Sequence, residues 1–161
     1  MQTGIRVRPA QFYESDLVLD ILAEAAAWLR GRGIEQWPER FPLESIRAQI
    51  ESGSLMLVET ETVAATFVVT ERGEFWNDDL QALHVSRLAV RRSAAGRGLG
   101  YRILDWVQDQ ARRRCVFRVR LATSSDNPAL RAYYEAAGFR YVADPANAKW
   151  PTSLYERVRG A

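Results

Sequence analysis

The chain has 161 residues, 47% of them hydrophobic and 26% charged, with a formal net charge of +2. That composition is ordinary for a globular domain and excludes a disordered, collagen-like or coiled-coil chain; the charge is too even to point to nucleic acid. Cys115 is the only cysteine and His84 the only histidine, so an intramolecular disulfide and metal sites built on paired cysteines or two histidines are excluded, and no metal is expected. No apolar run approaches the ~18 residues of a membrane span and the N-terminus has no hydrophobic signal region, so the expectation is a cytoplasmic protein with no membrane partner.

The elements alternate between strand-like and helix-like along the chain. Ile5–Arg8 predicts a short strand ended by Pro9. Asp16–Arg30 predicts an amphipathic helix, with Leu17, Ile21, Ala25 and Trp28 sharing a face with Val18, Leu22 and Leu29, stopped by Gly31 and Gly33. Pro42–Ser52 predicts a second helix on Leu43, Ile46 and Ile50. Leu55–Glu59 and Val63–Glu71 read as a hairpin around Thr60–Thr62, followed by a polar loop, Arg72–Asp79, and a longer strand, Gln81–Val90. A helix from about Gly98 to Arg114 carries Leu99, Ile103, Val107 and Ala111 on one face. Val116–Ala122 is a predicted strand and Pro128–Ala137 a helix capped by Gly138; Phe139–Ala143 and Leu154–Val158 close the chain as strands. The order β-α-α-β-β-β-α-β-α-β-β predicts one mixed α/β domain over residues 1–161.

The densest signal is Val90-Arg91-Arg92-Ser93-Ala94-Ala95-Gly96-Arg97-Gly98-Leu99-Gly100, which leaves a strand and opens a helix. Glycines at alternate positions let a backbone approach a ligand closely, and the helix N-terminus behind them adds partial positive charge. Together they predict a phosphate or pyrophosphate site. No lysine follows the glycines, as a nucleotide-triphosphate loop needs. The glycine spacing and the absence of an acid in Cys115–Arg120 also disagree with a dinucleotide loop.

Leu88-Ala89-Val90, then Gly96-Arg97-Gly98-Leu99-Gly100 and Ile103-Leu104, resemble motif A of the GNAT (GCN5-related) N-acetyltransferases. The run Asn127-Pro128-Ala129-Leu130-Arg131-Ala132-Tyr133-Tyr134-Glu135-Ala136-Ala137-Gly138-Phe139 resembles the family's motif B, and Leu154-Tyr155-Glu156 its last strand. The resemblance implies the GNAT fold, a central mixed twisted sheet of about seven strands flanked by about four helices, over nearly the whole chain. One position departs: Ala95 stands where the family's Gln/Arg-x-x-Gly-x-Gly/Ala pattern has its first side chain. Contacts through backbone N–H groups survive that change, and Arg97 or Arg92 is available as a substitute.

The activity so implied is acetyl-CoA-dependent N-acetylation of a primary amine, a small molecule or a peptide N-terminus, by direct attack in a ternary complex. By resemblance the backbone at Leu88, Ala89 and Val90 pairs with the pantetheine arm and acyl group, and one N–H there stabilises the oxyanion. Gly96, Arg97, Gly98, Leu99, Gly100 and Tyr101 hold the pyrophosphate, and Asn127 contacts the cofactor arm. Asn127 reads equally as the N-cap of the helix beginning at Pro128. Tyr134 matches the tyrosine that protonates the departing thiolate; of Tyr133 and Tyr134, one is expected to be core.

The base is less plain. The position of the glutamate used by some N-terminal acetyltransferases is Ala122 here. His84 matches both the histone acetyltransferases' glutamate and one of two histidines in arylalkylamine acetyltransferases; Ser86 stands at the other. Period two puts His84, Ser86 and Leu88 on one strand face, and an imidazole of ordinary pKa suits base work at neutral pH. Asp78, Asp79 and Asp126 are alternatives. No acyl-enzyme is expected, since Cys115 lies at a helix end.

Trp28, Trp37 and Phe41 either line an acceptor pocket, as this segment tends to do in the GNAT fold, or pack the first helices onto the sheet. Arg118 and Arg120 alternate with Phe117, Val119 and Leu121, predicting a wet face open to a homodimer contact or a substrate groove. The competing reading of the whole is a non-catalytic acyl-CoA-binding or sensing module on the same fold, which has no need of an acid and a base.

Overall fold

The computed structural model describes residues 4–160. Its elements are β1 (Arg6–Pro9), α1 (Ser15–Arg30), α2 (Leu43–Glu51), β2 (Leu55–Glu59), β3 (Val63–Thr70), β4 (Leu83–Val90), α3 (Leu99–Arg113), β5 (Arg118–Ser124), α4 (Pro128–Ala136), β6 (Arg140–Ala143) and β7 (Thr152–Val158). The strands form a seven-stranded mixed sheet in the order β1-β2-β3-β4-β5-β7-β6, with β4 and β5 parallel. The expected mixed α/β fold and element order are therefore present. Among the described residues no helix is long and apolar enough to cross a membrane.

The chain divides into two compact units. The first comprises the residues up to Val69 together with Arg87–Arg102. Its antiparallel strands β1, β2 and β3 pair in register Val7↔Val58 and Leu57↔Thr66. Pro9 is tolerated because β1 is an edge strand, where a missing N–H costs no ladder bond. Val18, Leu19, Ile21 and Leu22 of α1 and Ile46 and Ile50 of α2 bury with Leu55, Leu57, Val68 and Ala89 in one core. The buried stripe of α1 is rotated from the expected one: Leu19 and Ala26 are buried, while Trp28 is exposed.

The second unit comprises Thr70–Ser86 together with the residues from Ile103 on. Here β7 lies between β5 and β6, antiparallel to both. Tyr155 and Arg157 of β7 point to the helical side. Arg157 donates to Gln108 Oε1 (2.8 Å), to the Ala137 carbonyl (2.9 Å) and to the Leu104 carbonyl (3.3 Å), tying α3 and α4 to the last strand. Tyr155 donates to Glu135 and accepts from Arg131.

All four helices end the same way. Gly33, Gly53, Cys115 and Gly138 have positive φ, and the next residue's N–H reaches back to a carbonyl five residues earlier, as in Val116 to Ala111. This Schellman ending uses Cys115 and Val116 as cap, so β5 begins at Arg118 instead of the expected Val116.

Candidate active site

In the first unit, the loop after β4 has the geometry its glycines suggest. Gly96 and Gly98 adopt φ of +78° and +71°, and a Cβ on either would meet nothing within 4 Å. Both residues therefore turn through the left-handed region beside open space. Gly98 accepts the first helical hydrogen bond of α3, from Arg102, and the first turn of a helix leaves its leading N–H groups without intrahelical acceptors. The exposed Arg97 flanks the loop, Leu99 is buried beneath it and Tyr101 is exposed. The backbone N–H of Arg92 donates to Glu24 (2.7 Å), and its guanidinium lies 4.0 Å over Trp28. Trp28 carries Arg32 as well, at 4.4 Å, so this indole is a surface stacking platform and not core. Trp37 and Phe41 meet edge to face at 5.9 Å and pack on the core.

The strand leading into that loop departs from period two. Arg87 has φ of +50°, and a residue in the left-handed region within a strand breaks the alternation of sides, as in a β-bulge. The expectation that His84, Ser86 and Leu88 share one face through regular alternation fails at this residue. Ala89 is buried, and Leu88 and Val90 are half-buried.

In the second unit, His84 is paired with Arg120 across the parallel ladder and only 7% exposed. The loop 72–79 packs on it: a Cβ on Gly73 would overlap the His84 ring and come within 2.6 Å of Trp76 Cδ1, and the Trp76 and His84 rings meet edge to face at 6.0 Å. Arg120 corrects a second expectation. The predicted wet face of β5 does not hold at this residue, which is 2% exposed. Its Nη1 and Nη2 donate to both Asp78 oxygens (2.8 and 2.7 Å), its Nε donates to Glu156 (3.1 Å), and its guanidinium lies 4.1 Å over Trp76. A guanidinium can be buried when its fork is filled this way. Arg118, half-buried, also pairs with Glu156.

This surrounding changes the chemistry of the sole imidazole. Burial first, and the Arg120 charge second, lower His84 to about 4, against a smaller opposing pull from Asp78. His84 is therefore neutral throughout the physiological range, and the expected titration near its ordinary value is displaced. Asp78 is held below the usual carboxylate range by its bond to Arg120. Asp79 and Asp126 are exposed.

Tyr134 is the buried member of the tyrosine pair; Tyr133 is half-buried. Its ring packs edge to face on Tyr133 (5.6 Å) and Phe139 (6.0 Å), and burial pushes its hydroxyl pKa up. Asn127 is buried and its Oδ1 accepts from Leu130 N–H at 3.1 Å, so the capping role is real. Cys115 is exposed at the end of α3. Among the described residues no group of three or more metal-ligating side chains comes together.

A sequence model described as "Acetyltransferase (GNAT) family" matches residues 21–139. A curated relative, the "Uncharacterized N-acetyltransferase YesJ" of Bacillus subtilis (strain 168), is 28% identical over 155 residues, covering 89% of this chain and 86% of the relative. Among solved structures, a GNAT-family acetyltransferase from Streptococcus agalactiae superposes with a TM-score of 0.86 at 19% identity, covering 100% of this chain and 99% of that one. The yncA protein of Salmonella typhimurium, solved with its cofactor acetyl-CoA, superposes with a TM-score of 0.69 at 18% identity over 96% of this chain and 94% of that one.

Proposed function

Because this chain belongs to the GNAT family of acetyltransferases and is an acyltransferase, we propose that it moves an acetyl group from acetyl-CoA to a primary amine. The amine attacks directly in a ternary complex, and the whole chain serves as one catalytic domain. The observation that carries the reading is the glycine loop: two left-handed glycines beside open space lead straight into a 15-residue helix. This arrangement fits a pyrophosphate, which needs close backbone approach and unspent N–H groups. The acetyl-CoA bound to the Salmonella protein supports the choice of cofactor.

Acetyl-CoA supplies an activated acetyl thioester. The N–H groups of the Gly96–Tyr101 segment hold the pyrophosphate, with Arg97 at its side. The backbone of Leu88, Ala89 and Val90 aligns the pantetheine arm. Asn127 spends its Oδ1 on the α4 cap, which leaves its amide N–H groups for the arm. Tyr134 keeps its proton at neutral pH, because burial disfavours the phenolate, and so enters as a donor to the departing sulfur. His84 is neutral and able to accept a proton; its lowered pKa suits a base that takes the amine's proton late, once the nitrogen lone pair is committed to the new bond and that proton has become acidic.

The test is thiol release from acetyl-CoA across a panel of primary amines, with Tyr134→Phe alongside. Release dependent on an amine supports the reading, and Tyr134→Phe keeps the fold while lowering turnover roughly 10²-fold. Thiol release no faster than hydrolysis without amine refutes it.

A further inference from the structure

Several of the chain's buried and half-buried guanidiniums are held by carboxylates. Arg8 is paired with Glu14 and Glu59, Arg120 with Asp78 and Glu156, and Arg157 with Asp105. Arg87 of β4 is half-buried, yet among the described residues it has no carboxylate partner. Its neighbours are neutral. Nη1 donates to Ser45 Oγ at 3.2 Å and to Gln49 Oε1 at 3.0 Å, both on α2, and the guanidinium carbon lies 4.1 Å from the centre of the Phe41 ring.

These contacts fix the plane of the guanidinium but occupy only one of its nitrogens. The Nε and Nη2 edge, which forks around a carboxylate, carries no hydrogen bond among the described residues. Removing a cation from water without an anion is costly, and burial accordingly lowers the Arg87 pKa. The backbone is strained at the same residue, where φ is +50°, and such strain gathers at ligand sites. Trp37 and Phe41 supply aromatic surface beside it, in the segment that the family resemblance assigns to the acceptor.

We propose that the free fork of Arg87 binds a carboxylate of the acceptor, so that the amine acetylated by this enzyme is an amino acid or a compound carrying the same amine-plus-carboxylate pair. This deepens the acetyltransferase reading and rests on it for the word acceptor. A flat guanidinium held by a ring below and two helix side chains at one nitrogen presents two parallel N–H donors, the geometry of bidentate carboxylate recognition. A lysine in its place keeps the charge and loses the fork.

Thiol release is measured for amino acids and for the amines left when their carboxyl group is removed: phenylalanine against phenylethylamine and leucine against isoamylamine. Phosphoethanolamine provides a phosphate arm. The expected result is kcat/KM at least tenfold higher for the better amino acids than for their carboxylate-poor partners. Arg87→Met lowers that advantage at least tenfold, through the KM of the amino acids; Arg87→Lys, the variant to use if the methionine form is unstable, gives a partial loss. A preference for the simple amine or for phosphoethanolamine, or an advantage that survives both variants, overturns the proposal. If no amine reacts, the acetyl-transfer reading fails, and the carboxylate site is judged by binding alone. The nitrogen-15 resonance of Arg87 Nε, assigned by its loss in Arg87→Met or Arg87→Lys, is followed during titration with sodium acetate. A saturating shift supports the site and a flat response overturns it.

Discussion

Replacing Arg120 by methionine keeps the length of the side chain and removes its charge. Five observations set the expected size of the effect: three hydrogen bonds of 2.7–3.1 Å to Asp78 and Glu156, a ring contact with Trp76 at 4.1 Å, and 2% exposure. Breaking a fully buried ion pair costs about 3–5 kcal/mol, because the partner is left charged and dry. The carboxylates here are not dry: the side chains of Asp78 and Glu156 are 43% and 25% exposed, so water screens what remains. The ion-pair loss falls at about 2 kcal/mol, and the lost stacking on Trp76 adds about 1 kcal/mol. A total of about 3 kcal/mol lowers Tm by roughly 6–12 °C for a chain of this size. The assay is thermal and urea unfolding followed by circular dichroism, together with the imidazole resonance of His84, the sole histidine. That resonance has a second expectation: with the Arg120 charge gone, its titration moves upward from about 4 but stays below 6.5, because burial persists. A Tm loss under about 2 °C refutes the view of Arg120 as a clamp on Asp78 and Glu156, and a His84 titration that does not move refutes the part its charge plays in holding the imidazole low.

Three further outcomes are expected. Gly98→Val forces a branched residue to a φ of +71° and fills the open space beside it, so acetyl-CoA affinity falls at least tenfold by calorimetry, about 1.4 kcal/mol, in a chain that still folds. Cys115→Gly relieves the one non-glycine helix ending, at φ of +57°, and raises stability by about 1 kcal/mol in urea unfolding; an unchanged midpoint counts against that strain. The folded chain holds His84 at about 4 against an unfolded value of 6.5, so the unfolded chain binds the extra proton between them; this contribution is fully present above pH 6.5 and is lost as pH falls toward 4, amounting to about 3 kcal/mol at the acid end. His84→Gln removes that share of the pH dependence, which denaturant titrations at pH 4.5, 5.5 and 6.5 measure.

The elements were legible because the local signals were strong: Gly138 behind a helical run, Pro128 at its start, a short apolar run in Leu55–Val58. What the sequence concealed were features set by distant partners. Arg120 reads as wet because alternating arginines in a strand usually are; its burial depends on Asp78, 42 residues away, and on Glu156, 36 residues away. Nothing in Val85–Leu88 announces that Arg87 turns left-handed, since the residue is not a glycine, and so period two misjudged the strand that follows. Cys115 hid a helix ending for the same reason. In the candidate site, the glycine loop was readable because backbone chemistry there needs glycine. The state of His84 was not, since an imidazole's pKa belongs to its burial and neighbours and not to its place in a motif.

The position of β7 has a consequence for synthesis. β5 is made before the strand that covers one of its edges: Thr152–Val158 emerges roughly 30 residues later, a delay on the order of seconds at ribosomal rates. Throughout that interval Arg118–Ser124 offers an uncovered row of backbone donors and acceptors. Arg118 and Arg120 put two positive charges on that nascent edge, and like charges on an exposed edge discourage pairing with another copy. Glu156 then arrives on β7 directly opposite Arg120 and neutralises it. The same arginine that locks the finished sheet thus guards the unfinished one, and the chain's own last strand is the partner that carries the matching charge.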